Sequence, residues 1–387
     1  MKTHAPTTEI NKQIFSFFGF FKPMFSKAQF ENFIIFILGL LQNSKNKKVT
    51  DIAELTDNLK DHSVLSKFLS SNSFNSYKIK ETLRRIFLQV CDFTKPFYLY
   101  IDDTLTEKAG KKVKADWNYS ASNSGFLFSN CFVIGLIKNG SLEFPFEFKK
   151  YFQERGKKDK SYRSKLDLCL MIIKKVISFL GKNTYVLFDS WYSAAKVINK
   201  LKKEGIKFMT RLKSNRSVLP LKISLKEYSK KINPEKYKEV KVKDKSYFVY
   251  SEFLMINKIG KIRILFCKKK KYGKDIIFLC TNSDLSDSEI LENYIHRWEI
   301  EQFFSDTKEY LGLEDYQEIK QVAVSRHITL LFSTYFLISV VLSFIEKCSN
   351  VALSIGETLK KIRKGISDVK LTLLRRLYQR KLEVKLC

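Results

Sequence analysis

The spacing of apolar positions changes along the chain, and each change predicts a different kind of element. Up to about residue 94, apolar residues recur at helical spacing. The stretch SKAQ at Ser26–Gln29 has the capping-box pattern that begins a helix, and the apolar run Phe33–Leu41 follows it. From Pro96, three short strand-like runs follow one another before the turn residues Asn139 and Gly140. We expect a helical N-terminal module followed by strands.

Helices and strands then alternate through the middle of the chain. The run Lys165–Leu180 is too long for a strand and is followed by Gly181, so it predicts a helix. Thr184–Tyr192 has the pattern of a buried strand that ends at Asp189, and an amphipathic helical stretch separates it from a further strand at Ile206–Leu212. This order is typical of an α/β fold.

The pattern changes again in the last third of the chain. Between Ser214 and Asn282, lysine-rich stretches alternate polar with apolar residues, which indicates an inserted, mostly antiparallel β module. Ser286–Glu289 is a second capping-box pattern, and helical spacing continues from it to Gly312. One continuous helix is predicted there.

One apolar segment raises the question of a membrane. Ile328–Ile345 is 18 residues long without a charge, which is the lower limit for a spanning helix. Serines and threonines interrupt it, so we favour a buried core helix, with a membrane anchor as the alternative. The N-terminus lacks a secretory signal pattern, and the seven cysteines include no CxxC pair. A cytoplasmic protein without a membrane partner is expected.

The charge balance points to a polyanionic partner. Lysine and arginine number 70 against 40 for aspartate and glutamate, which gives a formal net charge of +30. Such a charge predicts binding to nucleic acid that weakens steeply as salt rises. An AT-rich coding genome would account for part of the lysine content, but it does not explain the shortage of acidic residues.

Aspartates stand where two predicted strands end. Asp102 and Asp103 close the run PFYLYIDD, and Asp189 closes TYVLFD. An ionised carboxylate is costly in an apolar strand, so it often has a ligand to bind, although a turn or helix-cap role explains either site alone. If the two strands are parallel neighbours, these carboxylates emerge at one sheet edge. Adjacent residues face opposite sides of a strand, so only one of Asp102 and Asp103 can join Asp189.

A polar stripe lies within the helix predicted from Ser286. On one α-helix, its four side chains would point within roughly 60° of one another. They are Tyr294, Arg297, Glu301 and Lys308. The arginine fork and the lysine are suited to gripping phosphate, and the tyrosine offers a hydroxyl and a ring. The plain alternative is a surface ion pair between the arginine and the glutamate four residues later.

A third carboxylate beside the two strand ends would imply metal ions. Converging carboxylates repel each other and take up protons unless cations neutralise them. Because oxygen ligands select hard ions, Asp102, Asp189 and Glu301 imply Mg²⁺ or Mn²⁺, with two ions expected. The four histidines are scattered without ligand spacing. Two hard ions are suited to displacement at a phosphodiester.

The same residues carry a family resemblance. The spacing Y-x2-R-x3-E-x6-K of the polar stripe resembles the signature of DDE transposases of bacterial insertion sequences, of the insertion sequence four type. The stretches IDDTLTEKAGKK, LFDSWYSAAKVINKLKKEG and RWEIEQFFSDTKEYLGLEDYQ are similar to that family's three acidic segments. The resemblance covers about residues 96–327. It implies an α/β fold with a ribonuclease H-like catalytic core, interrupted by a β-rich insertion and flanked by helical N-terminal and C-terminal regions.

The resemblance assigns a role to each candidate residue. The catalytic metal ligands would be Asp102, Asp189 and Glu301. The contacts to DNA near the scissile phosphate would be Tyr294, Arg297 and Lys308. Of the two adjacent aspartates, the family pattern favours the first, because a glycine follows it eight residues later.

Five segments are expected from the pattern and the resemblance together. They are a helical DNA-binding domain at 1–94, the first part of the catalytic core at 95–213, a β-rich insertion at 214–283, the last core helices with Glu301 at 284–346, and a basic tail at 347–387. For the tail, a solvated helical face and a contact to the DNA backbone are equally favoured.

The resemblance implies cut-and-paste DNA transposition. The enzyme would cleave double-stranded DNA at the terminal inverted repeats of its element and join the freed 3′ ends to target DNA. A homodimer that bridges two ends is the expected DNA-bound form. The alternatives are a catalytically idle, transposase-derived DNA-binding protein and a ribonuclease H-like nuclease without strand transfer.

Overall fold

The computed structural model describes most of the chain. The described residues are 7–42, 46–56, 59–71, 74–110, 113–120, 123–153, 162–242 and 245–366.

Helices make up the N-terminal part of the described chain. They are α1 (Thr7–Gly19), α2 (Lys27–Leu41), α3 (Val49–Leu55), α4 (His62–Ser70) and α5 (Ser76–Val90). The capping box predicted for α2 is present. Ser26 accepts a hydrogen bond from the backbone N–H of Gln29, and the Gln29 side chain accepts one from the Ser26 N–H. The apolar run that follows, Phe33–Leu41, is buried throughout.

Strands and helices alternate after α5. The elements are β1 (Phe97–Glu107), β2 (Asp116–Ser120), β3 (Gly125–Asn139), β4 (Leu142–Tyr151), α6 (Lys165–Leu180), β5 (Thr184–Phe188), α7 (Ala195–Glu204) and β6 (Phe208–Arg211). The predicted helix α6 has the expected bounds. Strand β4 was not predicted, because Pro145 interrupts its alternation. That proline lies beside the irregularity in the β3–β4 ladder at Gly135 and Leu136, where a missing N–H donor is tolerated.

The lysine-rich region adds further short elements. They are β7 (Ser217–Leu219), β8 (Ile223–Ser224), α8 (Leu225–Lys230), β9 (Lys238–Val242), β10 (Lys245–Ile256), β11 (Gly260–Lys268) and β12 (Ile276–Thr281). Apart from the β5 pairings with β1 and β6, the ladders among the described strands are antiparallel.

The described strands form one mixed sheet. Its order is β2-β3-β1-β5-β6-β12-β11-β10-β7-β8, with β4 paired to β3 and β9 paired to β10. Because β12 pairs with β6, the strands of the lysine-rich region continue the central sheet and do not form a separate one. The mixed α/β architecture is consistent with a ribonuclease H-like nuclease fold. The bounds of an insertion at 214–283 stay a prediction.

The prediction of one continuous helix from Ser286 to Gly312 is wrong. The structure has two helices, α9 (Asp287–His296) and α10 (Glu299–Leu311). Between them, Arg297 and Trp298 each donate their N–H to the carbonyl three residues earlier, which tightens the turn. Both residues keep right-handed helical dihedral angles. No proline or glycine marks this interruption, so the residue pattern did not reveal it.

Helix α11 (Gln321–Ser349) is a core helix. By length and composition it is apolar enough to cross a membrane, with a mean hydropathy of 2.2 in its apolar window. However, 94% of that window is buried within the described fold, where the helix packs on β4, α2, α4 and α5. The interpretation of Ile328–Ile345 as a buried core helix is therefore confirmed.

A further helix, α12, covers residues 355–366. The predicted basic tail at 347–387 extends past it, and residues 367–387 lie outside the described part of the chain. Both interpretations of the tail stay predictions.

A buried ion cluster joins the N-terminal helices to the sheet. Glu147 of β4 is only 2% exposed and accepts hydrogen bonds from Lys80 of α5 and, at 2.6 Å, from Lys175 of α6. A guanidinium nitrogen of Arg84, also on α5, lies 3.8 Å from the same carboxylate. One carboxylate therefore holds cations from two helices against the sheet.

Replacing Glu147 with alanine should lower the free energy of unfolding by about 3–5 kcal/mol, because a buried ion cluster loses its shared partner. Urea titration followed by circular dichroism measures this loss. Glu235→Ala is the matched control, since Glu235 is 65% exposed and pairs with Lys271 at the surface. Its effect should stay below about 1 kcal/mol. Equal losses in the two variants would contradict the structural role of Glu147.

Candidate active site

Two aspartates lie side by side where the pairing of β1 with β5 ends. The prediction that the first strand ends at Asp102 and Asp103 is wrong, because β1 continues to Glu107 through its pairing with β3. Strands β1 and β5 are parallel neighbours, and the last residues in register are Ile101 and Phe188. The next residue on each strand is an aspartate, Asp102 on β1 and Asp189 after β5. The predicted parallel pairing of these strands is confirmed. This pairing places Asp102 and Asp189 at neighbouring positions, one residue past the last pair in register on the two strands.

The adjacent aspartates Asp102 and Asp103 have different partners, as expected for neighbours on a strand. Asp103 accepts hydrogen bonds from the Lys165 ammonium at 2.6 Å and from the Tyr192 hydroxyl at 2.7 Å. Asp102 instead faces Arg297, whose guanidinium nitrogen lies 3.3 Å from Oδ2. The side chain of Asp103 is thus neutralised by a lysine, whereas that of Asp102 faces the helices α9 and α10.

Arg297 links the sheet to α10. One of its terminal nitrogens donates to Asp102, and the other donates to Glu301 at 2.7 Å. The Arg297 side chain is 13% exposed, and its Nε is buried without a hydrogen-bond partner. The Tyr294 ring lies 5.9 Å from the guanidinium carbon. The structure contains the ion pair between Arg297 and Glu301 that an ordinary surface helix would also have. Here Arg297 pairs with Asp102 of β1 as well.

Positive charge is in short supply around Asp102. Burial, followed by the neighbouring carboxylates of Asp189 and Asp103, raises the pKa of Asp102 to about 7. The opposing effect of Arg297 is too small to prevent this. Burial also raises the pKa of Asp189, although the N–H groups of Trp191 and Tyr192 donate to its Oδ1. Such a site favours binding of a further cation.

A single cleft of about 1030 Å³ exposes this chemistry to solvent. Its lining includes the three predicted acidic ligands, Asp102, Asp189 and Glu301. Lys308 also lines the cleft and pairs with Glu314 at 2.6 Å. Arg297 touches two of the acidic residues, and Tyr294 contacts Arg297. The structure therefore brings all six predicted site residues into one connected group.

The chemical type of the donor set fits hard divalent ions, because all three predicted ligand side chains are carboxylates. Two of them, Asp102 and Asp189, have a raised pKa. Within the described residues, however, no group of three or more histidine, cysteine, aspartate or glutamate side chains is close enough to hold one ion. Glu301 is held by Arg297 instead. For Glu301 to share an ion with the aspartates, its pairing with Arg297 must open.

Residue patterns missed two groups that shape the site. Lys165 and Tyr192 hold Asp103, and nothing in the spacing of the sequence links them to it. Lys165 is the first residue of α6, and Tyr192 follows Asp189 by three residues. Proximity to Asp189 was the only available signal, and it applied to Tyr192 alone.

Comparisons with known families agree with this geometry. Residues 19–245, more than half of the chain, match the family described as DDE superfamily endonuclease. Residues 164–337 match the family described as transposase DDE domain. The chain therefore belongs to the DDE endonuclease superfamily. Members of this superfamily typically use divalent metal ions.

A curated relative is similar over part of its length. A probable transposase for insertion sequence element IS701 from Microchaete diplosiphon is 27% identical over 223 residues, which cover 55% of this chain and 56% of the relative. The chain thus matches about half of that relative's length. These matches support a DDE transposase. They do not establish the insertion sequence four type, which stays a prediction.

The raised pKa of Asp102 predicts a pH dependence of the metal-free protein. Its pKa rises from 3.8 to about 7 on folding, so the folded state binds this proton more tightly than the unfolded state. Stability is therefore lost as pH rises from about 4 to about 7, by at most about 4 kcal/mol.

Asp102→Asn removes this titration. In chelator at about pH 8 the variant should be more stable than the wild type, and the difference should shrink at about pH 5. Urea unfolding at the two pH values measures both free energies. A wild type that is more stable than the variant at the higher pH would show that Arg297 fully compensates the buried carboxylate.

Proposed function

We propose that this protein is a DDE transposase that cuts DNA at the ends of its own element and joins the freed 3′ hydroxyls to target DNA. The observation that carries the proposal is the cleft whose lining includes Asp102, Asp189 and Glu301. The pKa values of Asp102 and Asp189 are raised there, which indicates that this part of the cleft has too few cations. Membership of the DDE superfamily and the formal charge of +30 support a DNA substrate.

The acidic residues would hold two Mg²⁺ or Mn²⁺ ions. Asp102 is proposed as the ligand from β1, since Asp103 already pairs with Lys165. Asp189 and Glu301 complete the set. Bound ions of this kind supply an activated nucleophile and stabilise the leaving oxygen of a phosphodiester.

The polar stripe would position the DNA strand. Arg297 offers a planar fork for a phosphate once its pairing with Asp102 and Glu301 opens. Lys308 lies on the lining of the same cleft, where its charge attracts the backbone. Tyr294 would help to hold the Arg297 guanidinium, which lies 5.9 Å from its ring. Each of these residues would act by binding and orienting the strand that is cut.

Two rival functions remain as outcomes of the tests below. A ribonuclease H-like nuclease would cut without joining, so an assay that scores joined products separates it from a transposase. A catalytically idle DNA-binding protein would bind element ends and leave them intact. A homodimer on paired ends belongs to the proposal, because joining two ends in one event requires two active sites.

Removing either of two acidic residues should abolish cleavage. Asp189→Ala and Glu301→Ala should each lower Mg²⁺-dependent cutting of element ends by on the order of a thousandfold or more, because each removes a metal ligand. The genomic sequence that flanks the reading frame supplies the end substrate. Gel assays score cleavage, and fluorescence anisotropy scores binding, which should persist.

The control for this pair is Glu309→Ala. Glu309 is an exposed carboxylate on the same helix as Glu301, outside the cleft lining. It should cut at the wild-type rate. Full cleavage by either Asp189→Ala or Glu301→Ala would contradict the assignment of the site.

Lys308→Ala should weaken binding to element ends through one lost phosphate contact. The slope of log affinity against log salt should fall by about 0.9. Lys200→Ala is the matched control, because Lys200 is also helical and paired at the surface, with Glu204 at 2.8 Å. Anisotropy titrations at several salt concentrations measure both slopes. An unchanged slope for Lys308→Ala would place the DNA backbone elsewhere.

A further inference from the structure

The hairpin of β2 and β3 carries an exposed aromatic face. In register, Trp117 lies opposite Phe128 and Tyr119 lies opposite Phe126. The ring centroids are 5.8 Å apart in the first pair and 5.7 Å apart in the second. Trp117, Tyr119 and Phe126 are 61%, 62% and 64% exposed. Aromatic rings are therefore paired across the hairpin but left open to water.

The other face of this hairpin is the buried one. Asn118, Ser120 and Ser129 point inward and are 5%, 6% and 0% exposed. Three polar residues thus occupy buried positions where apolar residues are usual, and Leu127, opposite Asn118, is the apolar residue on the same face. Large exposed aromatic groups are costly in water and mark binding surfaces more often than isolated apolar residues do. The aromatic face is consistent with a ligand that offers flat, apolar surfaces.

Part of this face borders the carboxylate cleft. Tyr119 and Phe126 line the same cleft as the acidic residues, and so does Trp191. Trp191 is 49% exposed and follows Asp189 by two residues. The Lys165 ammonium lies 5.3 Å from its ring. We call Tyr119, Phe126 and Trp191 the aromatic platform.

We infer that the aromatic platform stacks on unpaired nucleobases of the DNA strand next to the phosphodiester to be cut. This inference rests on the proposed function, since it takes DNA as the substrate of the cleft. Aromatic rings bind bases of any sequence through their flat faces. In an intact duplex those faces are covered by neighbouring bases, so the platform selects strands that are unstacked near the site.

Charge and position favour this occupant over a protein partner. The platform shares one cleft with Lys308 and with the acidic site, where a nucleic-acid strand is expected. The chain carries a formal charge of +30, which attracts polyanions. The competing occupant is a second copy of this chain on the hairpin face. It would make the aromatic residues determinants of the oligomeric state and not of DNA binding.

The test compares single-stranded and duplex DNA of the same sequence. Fluorescence anisotropy of short labelled oligonucleotides is measured with the full chain and with Tyr119→Ala, Phe126→Ala and Trp191→Ala. Each variant should bind the single strand about tenfold more weakly. Binding of the duplex and the salt slope should stay at wild-type values, because no phosphate contact is lost.

Phe253→Ala is the matched control. Phe253 is 64% exposed, as is Phe126, but it lies on β10 away from the cleft. It should bind both DNA forms as the wild type does. Equal losses for Phe253→Ala and Phe126→Ala would overturn the inference.

A spectroscopic readout separates stacking from a merely structural role. A single strand that contains 2-aminopurine should lose fluorescence on binding, because the base stacks on the platform, and the loss should be smaller with Phe126→Ala. Light scattering gives the oligomeric state of every variant. Quenching by Phe126→Ala that equals quenching by the wild type would contradict the inference. So would a Phe126→Ala variant that binds the single strand normally but no longer forms a dimer.

The two proposals fail in distinguishable ways. A chain that neither cleaves element ends nor binds DNA would overturn the proposed function. A chain that cleaves ends through Asp189 and Glu301, while Phe126→Ala and Phe253→Ala behave alike, would overturn the aromatic platform alone.

Discussion

The parallel pairing of β1 with β5 is the constraint on which the candidate site depends. Its register ends one residue before Asp102 on one strand and one residue before Asp189 on the other. Parallel neighbours need a long crossover connection, and here it contains β2, β3, β4 and α6. That crossover also supplies Lys165, which neutralises Asp103, and the hairpin that carries two residues of the aromatic platform. One backbone pairing therefore arranges both the acidic site and its surroundings.

Charge balance then explains the position of the helices over the sheet. Asp102 and Asp189 are both partly buried and burial raises the pKa of each, so the folded chain needs a cation nearby. Arg297 supplies it from the turn between α9 and α10, and it reaches Asp102 and Glu301 together. The same contacts keep Glu301 away from the aspartates. In the proposed function, metal binding and DNA binding would therefore be coupled, since phosphate would draw away the arginine that competes for the acidic residues.

The local residue pattern predicted much of the secondary structure. It predicted far fewer of the contacts between residues that are distant in the sequence. Helix α6 was predicted with its correct bounds because an apolar run of helical length ends at Gly181, whose φ of 81° is easy for glycine. Strand β4 was missed because Pro145 masks its alternation. The interruption at Arg297 was missed because its backbone stays helical. The three acidic residues were predicted from the strand and helix patterns, but the contact between Asp102 and Arg297 was not, because the two residues are 195 positions apart in the sequence.

The central claim, that Asp102, Asp189 and Glu301 together hold divalent metal, is tested most directly by iron-mediated cleavage of the polypeptide. Fe²⁺ substitutes for Mg²⁺ at oxygen-rich sites, and with ascorbate and peroxide it generates radicals that cut the chain close to the ion. In the presence of end DNA, fragments should end near all three residues, and excess Mg²⁺ should suppress them. Cuts confined to other regions, or fragments that Mg²⁺ leaves unchanged, would contradict a metal site built from these carboxylates.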